Sequence, residues 1–139
     1  MSTIYDLLGT LVHRRSALTG GDYTSPNLAP EVAVGSSEAN IVTSEVAGAE
    51  PWNDEHKVLI DLDVPAYLVP SSTSGHSHLY IDVTTTGAKL FTILDALAAA
   101  GVVEKGYAQA SRARGYSALR LPWVKKAQRT ANPLVRKTF

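Results

Sequence analysis

Apolar positions near the N-terminus follow a helical spacing, and those in the middle of the chain follow an alternating one. Behind Ser2-Thr3, the residues Ile4, Leu7, Leu8, Leu11 and Val12 predict a first helix from Ile4 to Arg15, ended by Gly20-Gly21. From there to His56 the chain is rich in Ser, Gly, Ala, Asn and Pro, with short apolar pairs such as Ile41-Val42, and reads as an extended arm. Lys57 to Asp63 alternates cleanly, with Val58, Ile60 and Leu62 against Lys57, Leu59, Asp61 and Asp63, and predicts a strand stopped by Pro65. Tyr67-Leu68-Val69 predicts a second short strand. His76 to Val83 predicts a third, with Ser77, Leu79, Ile81 and Val83 on one side and His76, His78, Tyr80 and Asp82 on the other. Val58, Ile60, Leu62, Leu79, Ile81 and Val83 are the expected core.

Helical spacing returns at Leu90, Ile93, Leu94 and Leu97, predicting a helix from Ala88 to Ala100 closed by Gly101. A short helical segment follows around Tyr107 to Arg112, then a strand from Tyr116 to Leu121 stopped by Pro122. The pattern predicts an α+β fold: a small, largely antiparallel sheet with packed helices, a long N-terminal arm and a basic C-terminal tail. The expected divisions are 1–56 for helix and arm, 57–122 for the core domain and 123–139 for the tail.

Composition narrows the chemistry. With 139 residues the chain suits one domain with a modest core. It has no cysteine, which excludes disulfides and thiolate metal centres, and its four histidines are too few for an ordinary structural zinc site. No long apolar run reads as a signal peptide or membrane span, so the expected place of action is the cytoplasm or the inside of an assembly. The zero net charge conceals a division. Residues 1–104 hold four Lys/Arg and all thirteen Asp/Glu, a net −9, while residues 105–139 hold nine Lys/Arg and no acid, a net +9. Such an end neutralises phosphates, or clamps an acidic protein surface, its own or a neighbour's.

The candidate chemistry lies beside the alternating runs. Carboxylates at i and i+2 of a strand face the same way, so Asp61 and Asp63 are candidates to share Mg²⁺ or Mn²⁺; the plainer reading is a solvated strand face. His76 and His78 share a face in the same manner, behind the Ser71–Gly75 turn, and are candidates for phosphate contact or proton transfer, or simply a polar outer face. Arg120 is a candidate for binding a triphosphate, or for an ion pair with the acidic half. Arg112, Arg114, Lys125, Lys126 and Arg129, interleaved with Tyr107, Tyr116 and Trp123, suit a nucleic acid: cations for the backbone and rings for the bases.

Taken in order, these segments resemble the archaeo-eukaryotic primase (primase-polymerase) superfamily. Leu59-Ile60-Asp61-Leu62-Asp63 resembles its metal-binding acidic strand. Ser74-Gly75-His76-Ser77-His78-Leu79-Tyr80 resembles its nucleotide-contacting turn and strand, with His78 the better match to the family's histidine. Leu119-Arg120-Leu121-Pro122 with Lys125 resembles its Arg-Leu-Pro-Gly stretch, Trp123 standing in place of glycine. The resemblance spans residues 57–126, and the chain is also similar to short reading frames of actinobacterial phages. Only twelve residues separate Asp63 from His76, and no acid follows Glu104. The resemblance therefore implies a reduced domain that binds nucleic acid or a nucleoside triphosphate, with Asp61 and Asp63 on Mg²⁺ or Mn²⁺, His78 as the catalytic candidate, and His76 and Arg120 on the nucleotide. Whether it is an enzyme stays open. The other class of function is a non-catalytic virion structural or assembly protein, a homo-oligomer or a binder of other virion proteins, whose arm and charged ends lace subunits together.

Overall fold

The computed structural model describes residues 3–15, 32–35, 37–50 and 52–125. Residues 16–31, with the Gly20-Gly21 stop and the first part of the expected arm, and the tail beyond Lys125 lie outside the described residues. The chain divides into two units, Met1–Asp61 and Leu62–Phe139. Helices and antiparallel strands in both make it α+β, as the apolar pattern implies.

In the first unit, helix α1 covers only Ile4–Leu8. A capping box starts it: the Asp6 amide donates to Thr3 Oγ1, and the Thr3 amide donates to Asp6 Oδ2 at 2.8 Å. The helix expected as far as Arg15 is not formed, because the chain turns at Gly9-Thr10 and continues as strand β1, Leu11–Arg15. The Thr10 hydroxyl closes the break on Leu7 O at 2.6 Å. Leu11 and Val12 fit the helical spacing equally well, but β1 gains partners on both sides as the central strand of a three-stranded sheet. Tertiary pairing outweighs the local preference here.

Strands β2 (Val32–Ala33) and β3 (Ile41–Val46) run antiparallel to β1, so the expected arm supplies two strands. Arg14 pairs with both Ala33 and Ile41, and Leu11 pairs with Val46 across a bulge. Thr43 braces that bulge, its hydroxyl donating to Val12 O at 3.0 Å and accepting from the Glu45 amide. Beyond β3 the chain turns through Gly48, whose φ of +79° suits a residue without Cβ. It then returns so that His56 bridges Glu45 and the Lys57 amide reaches Ser44 O at 2.8 Å.

The strand expected over Lys57–Asp63 is absent: residues 57–62 join no ladder. Val58, Ile60 and Leu62 are exposed, Ile60 at 65%, which overturns their placement in the core. Alternation fits a segment for a sheet, but only a partner edge makes it a strand.

The second unit begins with a hairpin of β4 (Ala66–Pro70) and β5 (Ser77–Ile81), in the register Ala66↔Ile81, Leu68↔Leu79 and Val69↔His78. Its turn is closed by the Ser71 amide on His76 O and the His76 amide on Thr73 O, with Gly75 at positive φ. Helix α2, Gly87–Ala99, is capped by Thr86, whose hydroxyl accepts from the Lys89 amide, and ends in a Schellman motif. In that motif the Gly101 amide reaches Ala98 O and the Val102 amide reaches Leu97 O. Helix α3, Lys105–Arg114, packs on α2 and ends at Gly115 in the left-handed region, φ +89°. Leu94 of α2 is buried, as are Ala108 and Ser111, one turn apart on α3. Two small residues there let the helices approach closely.

The strand expected over Tyr116–Leu121 is also absent; those residues are irregular and mostly exposed. The hairpin is oriented opposite to expectation. Leu79, Ile81 and Val83 are exposed, as is their neighbour Leu68 at 69%, while His78 and Tyr80 are the half-covered side. Among the described residues the buried apolar side chains are Leu11, Leu94 and Ala108.

Candidate nucleic-acid interface

The end of α3 sets out the best-formed group of cations and rings in the second unit. The Gly115 turn lets Tyr116 fold back, so that the Arg114 guanidinium lies over its ring, 5.5 Å from the centroid. Arg112 is engaged along the surface of its own unit: it pairs with Asp95 of α2 and lies over the Phe91 ring, also at 5.5 Å. These contacts tie it to α2, which leaves it less free for a ligand than the sequence implies, although an exposed pair of this kind adds little stability. Beyond Gly115, Arg120 and Lys125 are exposed and make no ion pair among the described residues. Trp123, 77% exposed, stands between them on a turn closed by the Val124 amide on Leu121 O. The segment 114–125 thus presents Arg114, Arg120 and Lys125 with Tyr116 and Trp123, all open to solvent. Lys126 and Arg129 lie outside the described residues.

Charge follows the division into units. Residues 1–61 carry three Lys/Arg and nine Asp/Glu, a net −6, and residues 62–139 carry ten Lys/Arg and four Asp/Glu, a net +6. Phosphates and acidic protein surfaces are both drawn to the second unit.

The other expected site residues are arranged differently. Asp61 and Asp63 are exposed and outside any strand, so no ladder fixes them to a common face. His76 is an exposed turn residue, and His78 is a half-buried strand residue opposite Val69. No three His, Asp or Glu side chains are gathered to hold a metal ion among the described residues. The observed positions therefore supply no formed cage for Mg²⁺ or Mn²⁺.

A constellation unforeseen from the sequence lies in the first unit. The Ser44 hydroxyl is 2.8 Å from His56 Nδ1, and His56 Nε2 is 2.8 Å from Asp54 Oδ1. A ring protonated at Nε2 donates to Asp54 and accepts from Ser44. The Asp54-x-His56 spacing was visible, but the return of the chain onto β3 is what brings Ser44 to it. His56 and Asp54 also line an open pocket of about 330 Å³ with Glu45, Glu50, Trp52 and Glu55. The Asp54 side chain is 95% exposed, so water competes at every step of this relay and the arrangement acts as a clasp holding 54–57 to β3. Beside it, Arg14 grips Glu45 through Nε and Nη2 at 3.0 and 3.2 Å. That hydrogen bonding holds the Glu45 carboxyl below its ordinary value against a smaller opposing effect of burial, with the charge of Arg14 acting in the same direction.

No family model matches the chain, and neither a curated protein nor a solved structure does.

Proposed function

We propose that the protein is a phage nucleic-acid- or nucleotide-binding protein with a reduced primase-polymerase-like domain, and that the segment 114–125 is its contact surface. The observation that carries this reading is the exposure of Arg114, Arg120 and Lys125, with Tyr116 and Trp123 among them, on a unit of net charge +6. Cations track a phosphate backbone and rings stack on bases, a combination suited to single strands without strong sequence preference. Lys126 and Arg129 extend the same basic run in the sequence. In this reading Arg120 and His78 also meet a nucleotide phosphate, and His76 contacts the nucleotide.

A fluorescence-anisotropy titration with a labelled single-stranded oligonucleotide tests the reading. Binding at low salt that weakens steeply as salt rises is expected; no binding at low salt overturns it. Divalent-metal chemistry at Asp61 and Asp63 forms a separate part of the proposal. It requires that Mn²⁺ with a nucleoside triphosphate raise the melting temperature, and that Asp61→Asn/Asp63→Asn abolish the rise.

A second reading, a non-catalytic virion assembly protein, is favoured by one observation. The −6 and +6 units make each unit of one copy complementary in charge to the other unit of a second copy.

A further inference from the structure

We propose that the chain forms a dimer by strand exchange, residues 58–62 of one copy pairing with the open edge of β4 in a second. The inference is independent of which functional reading holds.

Two unfilled features of this chain match each other. The segment 57–62 has the alternation of a strand, yet joins no ladder and leaves Val58, Ile60 and Leu62 in solvent. Among the described residues the hairpin β4–β5 is a two-stranded sheet with free edges, and one of its faces, Ala66, Leu68, Leu79 and Ile81, is apolar and largely exposed. A lone hairpin is marginal in water, and a third strand with a shared apolar face is the usual remedy. Laid antiparallel along β4 with Ile60 opposite Leu68, the segment extends that apolar face by Val58, Ile60 and Leu62.

The connection to β4 prevents a chain from supplying this strand to itself. Only Val64 and Pro65 lie between Asp63 and Ala66. A two-residue loop would place Leu62 opposite Tyr67 and Ile60 opposite Val69, which turns Asp61 and Asp63 onto the apolar face; a one-residue shift reverses every side chain. Such a loop would also demand positive φ at Val64, and positive φ among the described residues occurs only at Gly48, Gly75, Gly101 and Gly115. A three-residue loop, Asp63-Val64-Pro65, has the correct parity, with Leu62 opposite Ala66. Its third position, however, requires the left-handed region, which the ring of Pro65 forbids. A five-residue loop restores the parity but leaves only Val58–Ile60 to pair. A second copy has no such constraint, and reciprocal donation closes as a two-fold dimer. In that register Asp61 and Asp63 take the same sheet face as His78 of the recipient hairpin. Exchange therefore sets the carboxylates and the histidine on one sheet face.

Sedimentation velocity on the full chain without nucleic acid tests this. The wild type is expected at twice the chain mass, including in 1 M NaCl, where surface charges are screened within about 3 Å. Ile60→Lys, at a position exposed in the single chain, is expected to yield a folded monomer by circular dichroism. Pro65→Gly is the decisive variant: it frees the three-residue loop, lets the strand close on its own hairpin, and is expected to give a monomer with no loss of strand content. A monomeric wild type, a higher mass seen only with added nucleic acid, a dimer that dissociates in 1 M NaCl, or a Pro65→Gly protein that remains dimeric would each overturn the proposal.

Discussion

Ser111 brings its hydroxyl into the contact between α2 and α3, fully buried, and Oγ has no hydrogen-bond partner there. An unpaired buried hydroxyl costs stability, so its value at this position lies in its size. Ser111→Ala is expected to leave stability unchanged or raise it by about 1 kcal/mol in urea unfolding, because it removes the unpaired group and keeps the volume. Ser111→Leu should cost about 1–3 kcal/mol by forcing the helices apart. A destabilised alanine variant would mean that Oγ has a partner after all. Glu45 offers a second test at this scale. Its carboxyl is held below the ordinary value of 4.5 chiefly by Arg14, so its contribution is present above that pH and is lost as the pH falls through the depressed value. Glu45→Gln should flatten the fall of melting temperature with pH below 4.5, while costing little near neutrality because the pair is partly exposed.

The elements divide by how local their determinants are. Helix α2 was legible to within a residue because Thr86 and Gly101 stop it chemically at both ends, and the hairpin was legible because Ser71–Gly75 is turn chemistry between two apolar runs. β1 and β3 were not, since Leu11-Val12 satisfies two periods and Ile41–Val46 becomes a strand only through pairing with β1. The reverse error arose at 57–63 and 116–121, where a strand-like pattern finds no partner in the described chain. Site residues follow the same rule. The cations and rings of 114–125 were readable as composition, whereas the pairing of Arg112 with Asp95 and the Ser44–His56–Asp54 clasp depend on contacts distant in sequence. If α2 owes its start to its cap, Thr86→Ala should cost about 1 kcal/mol. Far-UV circular dichroism during urea unfolding measures this, and a change within error would show that packing on α3 alone sets the boundary.

Across the whole molecule, little apolar surface is buried among the described residues while opposite charges are separated into two units, and both features favour surfaces that work by meeting something else. No described helix is long and apolar enough to cross a membrane, and the polarity of the second unit suits polyanions. If the segment 114–125 is the contact, its cations and rings should fail in different ways. Arg120→Ala/Lys125→Ala removes two phosphate contacts and should lower the slope of log K against log salt by about 1.4 for a single strand, weakening all sequences alike. Trp123→Ala should cost about 1–3 kcal/mol through lost stacking and leave the salt slope nearly unchanged. Both substitutions fall on exposed side chains outside any helix or strand, so the fold should tolerate them. A titration at two salt concentrations separates the effects. Equal slopes in wild type and the double variant would move the phosphate contacts elsewhere, and an unchanged affinity for Trp123→Ala would remove base stacking from this surface.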